Sequence, residues 1–169
     1  PQNEDPESQK KAAIHGILDE AAKLFSAHLF DAGRGKMARD YLKKRGITGE
    51  TARKFRLGFA PFSWDFLISS LGKKTERLTL LQKAGLIKPR QNGEGYYDAF
   101  RNRLIIPILD GNGKVVGFGG RVLDPNDEPK YLNSPETEVF NKRKMLFNLR
   151  NALTEIRKKN EAVIVEGSL

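Results

Sequence analysis

The sequence predicts an α+β fold on three observations. Apolar residues recur at helical spacing through roughly the first 60 positions, a hairpin signal sits near residue 110, and a continuous apolar run occupies 162–165. Helices packed on a mixed, largely antiparallel sheet are expected, with the last run a strand buried on both faces. A chain of 169 residues can bury a sizeable core.

Residues 1–8 are polar and read as a frayed end. From 8 to 30, Ile14, Ile17, Leu18, Ala21, Leu24 and Phe25 mark an amphipathic helix. His15 and His28 lie on it 13 positions apart, a spacing that makes no local metal pair, so both read as surface or core-edge residues. A second helix over 36–44 ends at Arg45-Gly46, where glycine suits a left-handed cap. Thr48 caps a third over 49–55. Residues 56–61 form a short strand stopped by Pro61. Ser63 is placed as the cap of a helix over 64–71, with Trp64 as a packing residue and base stacking as its weaker alternative, and Thr75 as the cap of a helix to Ala84. Residues 86–88 are strand-like, 92–95 a turn, and Tyr96-Tyr97 opens the next extended piece.

The hairpin organises the rest. Leu104–Leu109 runs into Asp110-Gly111-Asn112-Gly113, and a second strand returns through Val115 to Leu123. Its ends carry Arg101 and Arg103 on one side and Arg121 on the other, so pairing is expected to gather three guanidinium groups in one region suited to phosphate. Lys130, Tyr131 and Asn133 follow within four residues: a charge, an aromatic face and an amide, the contacts a nucleotide or single strand uses. Gly117-Phe118-Gly119-Gly120 lacks the GxxxxGK[ST] pattern of a nucleotide P-loop and reads as a glycine-rich strand permitting close approach. A helix over 149–159 precedes the final apolar run, and Glu166 stands directly after it, where open α/β sheets place active sites.

Composition narrows the function. The net charge of +9 is spread over the whole chain, which makes a polyanionic partner plausible. Absence of cysteine excludes disulfides, iron–sulfur clusters and thiolate zinc sites, and suits the cytoplasm. No run approaches the roughly 18 apolar residues of a membrane span, and no signal peptide opens the chain. A start at Pro1 and a stop four residues after Val165 read as a piece of something longer.

RNRLIIPILDGNGKVVGFGGRVL, PKYLNSPET, the preceding YLKKRGIT and FRLGFAP, and VIVEG together closely resemble the RNA-polymerase core of bacterial replicative DNA primases of the DnaG type. The likeness runs over about residues 9–167. It implies a protein that synthesises short RNA primers on single-stranded DNA in the bacterial cytoplasm. It also implies ribonucleoside triphosphates as substrates and Mg or Mn in the complete core. Zinc belongs to a separate N-terminal domain of the family, and the replicative helicase to another. By resemblance, Arg45, Lys130 and Asn133 handle the incoming nucleotide, and Arg101, Arg103, Arg121 and Tyr131 track the template. Glu166 is the first acidic residue of a Toprim fold, a metal or general acid/base residue. Residues 9–160 then form the basic subdomain and 161–169 the first Toprim strand. Because the later Asp-x-Asp ligands are missing, this piece alone is expected to be inactive. A stand-alone single-stranded nucleic-acid-binding module and, more weakly, a regulatory nucleotide-binding protein are the other readings; acidic residues encoded soon after Leu169 would favour the enzyme.

Overall fold

The computed structural model describes residues 5–91 and 93–165. Helix α1 (Pro6–Phe30) opens the chain, with proline in the first turn, where a missing N–H costs no helical bond. Residues 6–8, expected to be frayed, are therefore helical. Helices α2 (Lys36–Lys44) and α3 (Gly49–Lys54) follow, joined by Gly46 at φ +73°, and the Thr51 N–H donates to Thr48 Oγ1 at 3.1 Å. After β1 (Gly58–Ala60) come α4 (Phe66–Leu71), α5 (Thr75–Lys83) and the hairpin β2 (Ile87–Pro89) and β3 (Tyr96–Asp98). The long hairpin is β4 (Arg103–Leu109) and β5 (Val115–Val122), with β6 (Tyr131–Asn133) and α6 (Leu149–Lys159) behind it.

Four strands make one antiparallel sheet in the order β1-β4-β5-β6. The hairpin turn is held by Asp110, whose Oδ1 accepts from the Asn112 and Lys114 N–H groups at 2.9 Å. Alternation along the strands divides the core. Ile105 and Phe118 face α1, with Ile17, Ala21 and Phe25, while Leu104, Ile106 and Phe59 face the other way, toward Leu42, Ala52 and Leu57 of the α2–α3 region. The glycine-rich run lies in β5 as expected: a Cβ on Gly120 would come 2.9 Å from Phe100. At Gly58 an added Cβ would lie 2.5 Å from Phe25 Cβ, so β1 and α1 touch backbone to backbone.

Three expectations are corrected. Thr75 is the first residue of α5 rather than its cap, a position that Lys74 holds. Helix α4 starts at Phe66, not at Trp64, and Ser63 does not cap it; Ser63 bonds Asp65 instead. The cap comes from β3: buried Asp98 accepts from the Leu67 N–H at 2.7 Å and the Ile68 N–H at 3.3 Å. The run 162–165 forms no strand among the described residues, and Val163, Ile164 and Val165 are 81%, 88% and 75% exposed. No described strand or layer covers it, and a strand buried on both faces needs one.

Burial pushes Asp98 up to about 6, against the opposing pull of the two N–H groups on its carboxylate. The folded chain thus binds a proton that the unfolded chain releases near 3.8. The stability Asp98 contributes is complete below the unfolded value and is lost as pH rises through about 6. His28, stacked on Phe59 and tilted against Phe66, is shifted the opposite way by burial and opposes this trend. Urea unfolding is expected to show wild type gaining about 1.4 kcal/mol from pH 7 to pH 5 relative to Asp98→Asn, which cancels the histidine. Parallel pH curves for the two proteins would overturn this assignment.

Candidate nucleic-acid interface

Two clusters of rings and guanidinium groups flank the four-stranded sheet. Register defines the first. Arg121 pairs with Leu104 and with Tyr131, and Gly119 pairs with Asn133. Directly paired residues point to one side, so Arg121, Tyr131 and Asn133 share a face. Tyr41 reaches that face from α2. Arg121 Nε donates to the Tyr41 hydroxyl, and an Nη of Arg121 donates to the Tyr131 hydroxyl. The Arg121 guanidinium also lies 4.8 Å from the Tyr131 ring centre, and that of Arg45 lies 5.3 Å from the Tyr41 ring centre. Arg121 is only 5% exposed while Tyr131 is 46% exposed, so a buried cation holds out an open ring. Beside Asn133 lies a cavity of about 260 Å³ lined by Ile106, Gly119, Phe140, Lys142 and Met145.

The second cluster lies on the opposite face. Arg103 pairs with Val122 and Leu132 with Gly120, and Arg103 donates to the Pro129 carbonyl at 2.7 Å. Burial lowers the Arg103 pKa from its ordinary value, yet a guanidinium stays charged. Arg101 lies 4.1 Å over the Trp64 ring and 5.2 Å from that of Tyr97, and the two rings meet edge to face at 5.7 Å. Trp64 is half exposed and Phe62 is 83% exposed in the same cleft, whose rim includes Asp127 and Glu128.

The expectation that Arg101, Arg103 and Arg121 gather in one region is corrected. Their ends of the hairpin do meet, but Arg103 and Arg121 point to opposite sides. The reason is a bulge. Leu109 pairs with Val115, and a register running on unbroken from there would set Arg103 opposite Arg121; the shift between Ile108 and Leu109 instead pairs Arg103 with Val122. Arg45 and Asn133, expected with the nucleotide, therefore share a face with Arg121 and Tyr131, expected with the template, while Arg101 and Arg103 join Trp64. Lys130 is exposed in the bend directly before β6.

Tyr41 and Tyr97 are not site residues in the sequence reading, and Trp64 is there a packing residue first and a base-stacking one only as the weaker alternative. Nothing local distinguishes a packed ring from one left open, because exposure depends on the neighbouring strand. Glu166 lies outside the described residues. Among the described residues no three His, Asp or Glu side chains gather as a metal set, so the part of the chain described does not fit a metal centre and no step is derived through one.

Guanidinium groups that bind phosphate, interleaved with rings that accept a base, are the chemistry of a nucleic-acid-binding domain. The chain belongs to the family of the DNA primase catalytic core, N-terminal domain, whose model matches residues 24–153. It is 41% identical over 167 residues to DNA primase of Myxococcus xanthus, which covers 97% of this chain and 27% of the relative. It is 51% identical over 160 residues to DNA primase of Synechococcus elongatus, covering 94% of this chain and 23% of that one. The chain thus spans about a quarter of the length of these relatives. Among solved structures, it is similar to the DnaG primase catalytic domain bound to ssDNA, with a TM-score of 0.81, 37% identity, and 88% of this chain and 45% of that chain covered. The RNA polymerase domain of Mycobacterium tuberculosis primase DnaG gives a TM-score of 0.83 at 37% identity, covering 92% of this chain and 50% of that one. No described helix is long and apolar enough to cross a membrane.

Proposed function

We propose that this domain holds single-stranded template DNA and an incoming ribonucleoside triphosphate within a DNA primase that lays down short RNA primers. One observation carries the reading: each face of the sheet presents an open ring backed by a guanidinium, Tyr131 on Arg121 and Trp64 on Arg101. Stacking on a ring is tolerant of sequence, and the cation holds the adjoining phosphate. Arg45, Lys130 and Asn133 are assigned to the nucleotide, and Arg101, Arg103, Arg121 and Tyr131 to the template, with Trp64 added as a stacking residue. The structure of a related DnaG domain bound to ssDNA supports a DNA partner.

Catalysis would draw on Mg or Mn, with Glu166 as one ligand or proton carrier. Two-metal chemistry needs several carboxylates, so this chain by itself is proposed to make no primer. The replicative helicase is assigned to a part of the protein beyond these residues, and the cytoplasm to the whole. Because the grip is electrostatic, oligothymidylate affinity should fall steeply with salt. With three or four phosphates neutralised, the loss between 50 and 200 mM salt is about 20- to 50-fold. Affinity flat across that range would reject the phosphate-binding role.

A further inference from the structure

We infer that Asp98 is the positioning residue of the Trp64–Arg101–Tyr97 cluster, holding the stacking ring in place from beneath it. This rests on the reading of that cluster as a single-strand contact. Asp98 is 1% exposed and does not line the cleft, so it makes no contact with a bound strand itself. Its polar atoms join both halves of the cluster. The Asp98 N–H donates to the Trp64 carbonyl at 2.8 Å. The Asp98 carbonyl accepts from an Nη of Arg101. The carboxylate accepts from the Leu67 and Ile68 N–H groups.

Each link has a different physical role. Trp64 lies two residues before α4, in an irregular stretch with no side-chain cap of its own. What fixes that stretch against β3 is the carboxylate on the first turn of α4, together with the bond to the Trp64 carbonyl. The ring of Tyr97 comes from the adjacent residue of β3, so Trp64 and Tyr97 keep their edge contact only while α4 stays docked. Arg101, anchored on the Asp98 carbonyl, then lies over both rings. Without the carboxylate two helix N–H groups are buried with no acceptor, and the start of α4 must move toward water to satisfy them. Trp64 moves with it and leaves Arg101.

Trp64 is the only tryptophan in the chain, so its emission reports this cluster and nothing else. The experiment compares wild type, Asp98→Ala and Asp98→Asn, first free and then titrated with oligothymidylate. Asp98→Ala is expected to red-shift the emission of the free protein and to bind oligothymidylate about tenfold more weakly, the loss of one stacked base. Asp98→Asn keeps one oxygen for one helix N–H and is expected to recover part of both. A folded Asp98→Ala with wild-type emission and affinity overturns the inference, since a role in stability alone would lower its melting point and leave both readouts unmoved. Should Asp98→Ala not fold, Asp98→Asn decides: wild-type emission and affinity in that variant overturn the inference, and a partial shift in both supports it. If oligothymidylate leaves wild-type Trp64 emission unchanged, the stacking role of Trp64 falls, while the emission of the free variants still decides whether Asp98 sets the ring.

Discussion

Arg121→Ala is expected to weaken binding of both oligothymidylate and nucleotide by about 30-fold, roughly 2 kcal/mol, the worth of one stacked base. No other side chain in the first cluster is tied to so many of the rest. Its guanidinium donates to the hydroxyls of Tyr41 and Tyr131 and lies on the Tyr131 ring, and Tyr41 in turn carries Arg45. Deletion leaves two phenols without that donor and releases the open ring. Arg121→Lys should not restore affinity, because an ammonium group has no planar fork to bridge two hydroxyls. Fluorescence anisotropy with labelled oligonucleotide and nucleotide would measure it. A folded Arg121→Ala with wild-type affinity for both would remove Arg121 from the interface.

Gly58→Ala is expected to lower the melting temperature by about 10 °C. The new methyl would lie 2.5 Å from Phe25 Cβ and 2.8 Å from the Phe25 carbonyl carbon. The obstacle is helix backbone, so no rotamer change makes room, and α1 must shift off β1. Overpacking of this kind costs about 3 kcal/mol, and each kcal/mol moves the midpoint of a domain this size by about 2–4 °C. Phe25 also packs edge to face on Phe118 at 5.7 Å, so the shift opens the centre of the core as well. Thermal unfolding followed by circular dichroism tests it; a midpoint within 2 °C of wild type would show that the contact is slack.

What could be read from sequence was local. The Asp110 turn, the Thr48 cap and the left-handed Gly46 all rest on residue chemistry within a few positions. The helix bounds came out within a few residues for the same reason. What could not be read depends on partners far along the chain. Helix α4 takes its cap from Asp98, some 30 positions away. The run 162–165 has the composition of a buried strand, but burial needs a second layer, and none of the described residues supplies one. The three arginines lie at the ends of the hairpin as their positions predict. The side each points to was hidden, because one unpaired residue reverses it.

That residue is Val116, buried and outside the ladder, between Val115 opposite Leu109 and Gly117 opposite Ile108. Counting from the turn, the hairpin has two possible parities, and the difference between them is whether Val116 is paired or bulged. Were Val116 instead paired with Ile108 and the turn kept, Arg103 would stand opposite Arg121, and their mutual repulsion would fall on one side of the sheet. An arrangement with cations on both sides of the sheet and one that crowds them into a single furrow are thus separated by a one-residue slip of register.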